Sequence, residues 1–214
     1  MKKFEAFQVL GIISSKRSYI TFLIRGLYNT LLRSAPRMGF VMSMFGTIDV
    51  ETPPYETVLS KASYEVRAFP RLLAIECPCN DESGAFRTLA GYIGVMGKAQ
   101  NEASQPIAMT APVVNKPSKT MQFILPAAMQ TAPPPLAKNV TVVERPPSRW
   151  AVATWQGGWD DAEATRRMEE LIKTARADGV QLDEGDWEWH RYNPPWTLYW
   201  WRTNSVAVKV VSGP

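Results

Sequence analysis

Cysteine is nearly missing from this chain: 214 residues contain two, Cys77 and Cys79. Two positions apart on a strand, they point the same way roughly 6–7 Å apart, so a mutual bridge would strain the backbone. A disulfide-framed secreted domain is therefore excluded, and two thiols with no nearby histidine make no zinc site. Histidine is scarcer still. His190 is the single one, which excludes His-rich metal sites and allows Ser-His-Asp or Cys-His catalysis only with His190 as base. No uncharged apolar run approaches the roughly 18 residues of a membrane-spanning helix. A basic folded surface is also lacking. Residues 1–48 carry seven Lys/Arg against one acid, Glu5, for net +6, and the remainder carries 17 basic against 19 acidic residues, for net −2, within a total of +4. The high isoelectric point thus belongs to the N-terminal arm, and nucleic-acid binding by the folded body is not expected.

Aromatic residues and proline are abundant: 17 Pro, eight Trp and seven Tyr, which suits a β-rich fold with many turns. The basic arm, residues 1–42, sets Ile20, Leu23, Ile24, Leu27, Leu31 and Leu32 at helical spacing and reads as an amphipathic helix around 18–33. It suits an organelle-targeting presequence, a helix docking on a protein partner or an anionic membrane surface, or a helix packed on its own domain. The body spans 43–214. Alternation predicts strands at 64–69, 72–77, 107–114, 121–125, 140–144, 150–155, 187–192, 197–201 and 206–211. One helix, capped at its start by Asp81, Glu82 or Ser83, sets Phe86, Leu89, Ala90 and Ile93 on one face, and Met96 too if Gly91, Gly94 and Gly97 do not end it early. A second follows Asp160 or Asp161 and stops at Gly179. The segment 126–138, with Pro133-Pro134-Pro135, reads as an extended, exposed loop.

An internal repeat is visible. Val66-Arg67 followed by Arg71 to Ile75 parallels Glu144-Arg145 followed by Arg149 to Ala153. Each copy reads strand, strand, helix, strand. Neither unit can bury its own face alone, so both belong to one domain.

Three stretches carry a family resemblance: Ser43-Met44-Phe45-Gly46 with Glu51 to Tyr55 and Tyr64 to Arg67; Ala85 to Leu89 leading to Pro106-Ile107-Ala108-Met109-Thr110-Ala111-Pro112-Val113; and Tyr192-Asn193-Pro194-Pro195-Trp196 with Arg202 to Val206. Over about 43–211 the chain resembles the SOUL/heme-binding protein family. The resemblance implies an α+β fold, a distorted antiparallel β-barrel of two pseudo-repeated β-β-α-β halves flanked by two helices. It implies noncatalytic binding of heme or another tetrapyrrole, as a carrier, buffer or sensor, with no settled enzymatic reaction. The histidine that ligates heme in some members lies in the first half of the domain, and this first half has none. The link from Tyr92 to Met109 is some four residues longer than is common in the family.

A tetrapyrrole needs a flat apolar slot and cations for its propionates. The candidate slot is Phe86, Leu89, Ala90 and Ile93, with Met96 and Met109 as soft contacts and Arg87 and Lys98 as propionate partners. The same stripe would equally serve as ordinary core. His190, on the strand face shared with Glu188, reads as a surface or packing residue before an iron ligand. Trp196, Tyr199, Trp200 and Trp201 read as barrel-end packing before porphyrin stacking. No carboxylate pair has the spacing of an acid–base dyad, so no catalytic or metal residue is expected. The alternative function is an interaction module, a subunit of a larger assembly contacted through the arm and the proline-rich loop. The expected compartment is the cytoplasm or an organelle such as a chloroplast or mitochondrion.

Overall fold

The computed structural model describes residues 43–158 and 160–212; the amphipathic arm, 1–42, lies outside the described residues. Among the described residues nine strands and two helices follow in the order β1 (Glu56–Ser60), β2 (Glu65–Phe69), β3 (Leu72–Pro78), α1 (Glu82–Ile93), β4 (Val113–Lys116), β5 (Thr120–Ile124), β6 (Thr141–Arg145), β7 (Ser148–Gln156), α2 (Asp161–Ala177), β8 (Gln181–Arg191) and β9 (Thr203–Ser212). All ladders are antiparallel, in one sheet ordered β1-β2-β7-β9-β8-β4-β5-β3-β6.

That order gives the internal repeat a physical form. Strands β2 to β5 with α1, and β6 to β9 with α2, are the two copies. They meet at the β8–β4 ladder, in the middle of the order. Each copy gives its first strand to the other: β2 pairs with β7, and β6 pairs with β3. Through this exchange each copy completes the sheet of the other.

The expected barrel is not closed, because β1 and β6 are the edges and do not pair. The sheet nevertheless rolls strongly. In the sheet order β2 and β3 are six positions apart, about 29 Å in a flat sheet, yet only Pro70 and Arg71 join them. Three Cα steps reach about 11 Å at most, so the strands must curl round. Pro146 and Pro147 impose the same constraint between β6 and β7.

Both helices pack on the convex face. Asp81 caps α1 by accepting from the Gly84 amide at 2.7 Å, and Gly94 ends it at φ +85°. Asp160 caps α2, accepting from the Glu163 amide at 2.8 Å. Beneath α1 lie Ile75, Cys77, Met121 and Phe123; beneath α2 lie Val66, Ala151, Trp189, Val206 and Val208. Two small clusters, Leu72 with Val114 and Ile124, and Trp150 with Val152 and Ala207, face the concave side.

Several expected elements differ. Of the expected 107–114 strand only Val113 and Val114 lie in a strand, β4, which runs on to Lys116. The upstream residues cross the sheet end, where the Ala111 amide donates to Glu51 O at 2.9 Å and the Thr110 hydroxyl donates to Ile124 O. Residues 197–201 form no strand. Two prolines precede them, and the chain makes a turn and one 3-10 turn, Tyr199–Trp201. The proline-rich loop is irregular and largely exposed as expected, and it is also tied down: Tyr92 Oη donates to Pro133 O at 2.6 Å, and Met129, Ala132 and Ala137 pack on the α1 core.

Candidate functional site

Alternation along β8 sends Trp187 and Trp189 to the convex side and Glu188 and His190 into the concavity, with Tyr192 just beyond the strand. The concave face holds a cavity of about 210 Å³. Its walls include Arg67, Arg145, Trp150, Glu188, His190 and Tyr192.

A polar chain runs across this face. Arg145, on edge strand β6, grips Glu188 with two nitrogens, at 2.7 and 2.9 Å. Three strands separate β6 from β8, about 19 Å if the sheet were flat, so this ion pair is a strut across the roll. Arg145 also donates to Gln122 Oε1 at 2.7 Å, and Gln122 donates to Glu76 at 2.6 Å. On the other side His190 Nε2 lies 3.0 Å from Glu188, and its Nδ1 lies 3.3 Å from Ser205 Oγ. A carboxylate only accepts, so Nε2 carries a proton and donates it to Glu188. Tyr192 Oη is 3.3 Å from the same Ser205.

Glu188 is 1% exposed. Burial pushes its carboxyl up; the His190 hydrogen bond and the Arg145 charge outweigh that and hold it at about 2. Burial drives the Tyr192 phenol up, so it stays protonated. Glu188, His190 and Ser205 mimic a charge relay in connectivity. Ser205 is fully buried, however, and is not in the cavity wall, so a substrate in the cavity does not meet its hydroxyl. Arg67 is the repeat counterpart of Arg145. It pairs with Glu65 at 2.9 Å and lies 4.5 Å over the Tyr55 ring.

The residues expected to bind a tetrapyrrole divide into two groups. Leu89, Ala90 and Ile93 are at most 2% exposed and form the core under α1 with half-buried Met109. Phe86, Arg87, Met96 and Lys98 are exposed. Phe86 keeps one edge on Phe123, with ring centroids 5.2 Å apart. Met96 lies beyond the helix, since Gly94 ends α1. Arg87 and Lys98 have no ion pair among the described residues. His190 is buried and doubly hydrogen-bonded. Burial also pushes Cys77 up to about 11 and raises Cys79, so both are neutral thiols. Among the described residues no group of three His, Cys, Asp or Glu is placed to hold a metal ion, and no helix is long and apolar enough to cross a membrane. The four aromatics expected to pack a barrel end are exposed instead, with Trp200 at 74%.

Reading the helix stripe missed the concave chain. Its signal was available: Glu188 and His190 alternate with Trp187 and Trp189, and an inward charge needs a partner. Arg145 follows Glu144 at the repeat position of Arg67, but nothing in the sequence says that it reaches β8.

Two strand-exchanged repeats, a rolled open sheet and helices on its convex face define a pseudo-twofold α+β domain. The chain belongs to the SOUL heme-binding protein family, whose family model matches residues 50–209. No curated protein matches the chain. Among solved structures it is similar to the C-terminal domain of EcmrR, with 11% identity, a TM-score of 0.48 and coverage of 74% of this chain and 99% of that one. A hydrolase from Listeria innocua gives 10%, 0.47, 72% and 94%. An uncharacterized conserved protein from Listeria innocua gives 12%, 0.49, 70% and 93%. Likenesses this distant bear on neither substrate nor reaction.

Proposed function

We propose that this protein is a noncatalytic binder of heme or another tetrapyrrole, acting as a carrier, buffer or sensor. Membership of a heme-binding family over residues 50–209 carries the reading. The concave cavity, about 210 Å³, is smaller than the roughly 300–1,000 Å³ of drug-sized ligand sites, so a macrocycle does not fit inside it. The surface at α1 suits one better. Exposed Phe86, Val95 and Met96 offer apolar contact, while Arg87 and Lys98 are cations available to propionates. Leu89, Ala90, Ile93 and Met109 support that surface from beneath. With His190 engaged by Glu188 and Ser205, the macrocycle binds without histidine ligation.

The test is a hemin titration of the purified protein. A saturable Soret change at micromolar hemin is expected, weakened by Phe86→Asp and by the pair Arg87→Glu and Lys98→Glu. Equal titrations for wild type and both variants would move the site away from α1. Absence of any saturable change would refute heme as the ligand.

A second reading, an interaction module in a larger assembly, is favoured by one observation. Phe45, Trp196, Tyr199, Trp200 and Trp201 are all exposed, with Phe45 edge-on to Trp201 and Tyr199 to Trp200. Exposed aromatic clusters of this kind mark contact surfaces. Partners that co-purify with wild type and are lost with Trp200→Asp would support it, with hemin binding as the independent control.

A further inference from the structure

The concave cavity, about 210 Å³, is too small for a macrocycle, yet its walls suit a smaller ligand. Tyr55, Phe69 and Trp150 present three aromatic rings, and Leu72 and Ile124 add aliphatic surface. The Tyr55 and Phe69 ring centroids are 5.6 Å apart. Thr52, Tyr55 and Thr154, in the same wall, are exposed, so the cavity opens to solvent. An apolar cavity of roughly 150 Å³ accepts benzene. At an interior packing density of about 0.74, this one holds about 155 Å³ of molecule, which is room for two fused rings.

The polar groups of the wall are already engaged. Trp150 Nε1 donates to Ser148 Oγ at 2.9 Å, both His190 nitrogens have partners, and Tyr192 Oη is 3.3 Å from Ser205. Water here therefore meets few of the polar partners that hold a buried water, and an apolar group that displaces such water gains affinity. Charge is matched in the same way. Arg145 holds Glu188, and Arg67 pairs with Glu65 at 2.9 Å. A charged ligand would shed its water without meeting an unmatched countercharge, and burying an unpaired charge is costly. The strut and the strand ladders fix these walls in advance, so binding orders few side chains.

We propose that the concave cavity binds an uncharged aromatic molecule of about two fused rings, packed among Tyr55, Phe69 and Trp150. The sheet separates this site from the tetrapyrrole surface at α1, and the proposal does not rest on that reading.

The experiment follows the indole N–H resonances of uniformly ¹⁵N-labelled full-length protein by NMR at pH 7. The probes are one bicycle in three charge states: neutral 2-naphthol, anionic 2-naphthoate and cationic 2-naphthylmethylammonium. The Trp150 signal is assigned by its loss in Trp150→Phe or, should that variant fold poorly, by its through-space contacts to Ser148. With 2-naphthol the Trp150 Nε1–H resonance should shift and saturate, and both charged probes should bind about tenfold more weakly or worse. Thr154→Trp, at an exposed wall position, and Ile124→Phe, at a buried one, narrow the cavity and should each weaken 2-naphthol binding about tenfold. Phe86→Asp, on the other face of the sheet, should leave it unchanged. A Trp150 signal unmoved by 2-naphthol would overturn the proposal. So would equal binding of either charged probe, or undiminished binding by both narrowed variants.

Discussion

Arg145→Leu tests the strut that holds the rolled sheet. The change strands the Glu188 carboxylate, 1% exposed, with His190 at 3.0 Å and Lys116 at 3.7 Å as its remaining partners. Breaking one side of a buried ion pair costs about 3–5 kcal/mol. For a domain of this size that lowers the melting temperature by about 6–20 °C. The pH dependence is the sharper readout. In the wild type the folded carboxyl sits at about 2 against an ordinary 4.5. A depressed acid stabilises the fold above its unfolded value, and that contribution is lost as pH falls through the folded one. The native protein should therefore lose about 3 kcal/mol from this group between about pH 5 and pH 2. In the variant, burial dominates and raises the carboxyl, so acidification from pH 7.5 to 5 should stabilise it. Urea denaturation followed by tryptophan fluorescence, repeated across pH, gives both quantities. Arg145→Leu with Glu188→Leu should recover most of the loss, since a matched apolar pair leaves no buried charge. A single variant within 1 kcal/mol of wild type, with an unchanged acid limb, would refute the strut.

His190→Ala should keep the hemin absorption spectrum of the wild type, and loss of a six-coordinate signature would show that the ring ligates iron after all. Gly46→Ala should destabilise by about 1 kcal/mol or more through backbone strain, because Gly46 has φ +83° and a Cβ there would stand 2.4 Å from Trp201 O; thermal melting checks it. Asn101→Ala should cost about 2–3 kcal/mol by removing the fully buried amide that donates to Tyr92 O at 3.0 Å and Gln105 O at 2.9 Å; urea midpoints measure the loss. Full-length protein should bind anionic vesicles at low salt and release near about 0.5 M, while residues 43–214 alone should not, as expected for charge attraction within a short Debye length; equal co-sedimentation of both would remove the arm as the cause.

The α+β class, both helices with their aspartate caps, and the internal repeat were legible from residues 43–211, because each rests on local periodicity and capping chemistry. Asp81 and Asp160 cap where the patterns begin, and Gly94 and Gly179 lie in the left-handed region just past the helices. The motif strings were legible as family marks, while their physical work was not. Asn193 donates to Gly46 O at 3.0 Å and accepts from the Thr203 amide at 2.6 Å, contacts across 147 and 10 residues. Periodicity also cannot separate an inward stripe that is core from one that is a slot. Leu89, Ala90 and Ile93 are core because β3 and β5 lie under them, which only strand order decides. Strand exchange between the repeats, and the rolling that carries Arg145 to Glu188, follow from long-range pairing, which leaves no local trace. Alternation on β8 puts Glu188 inward, but the guanidinium that makes this tolerable arrives from an edge strand 43 residues away in the chain.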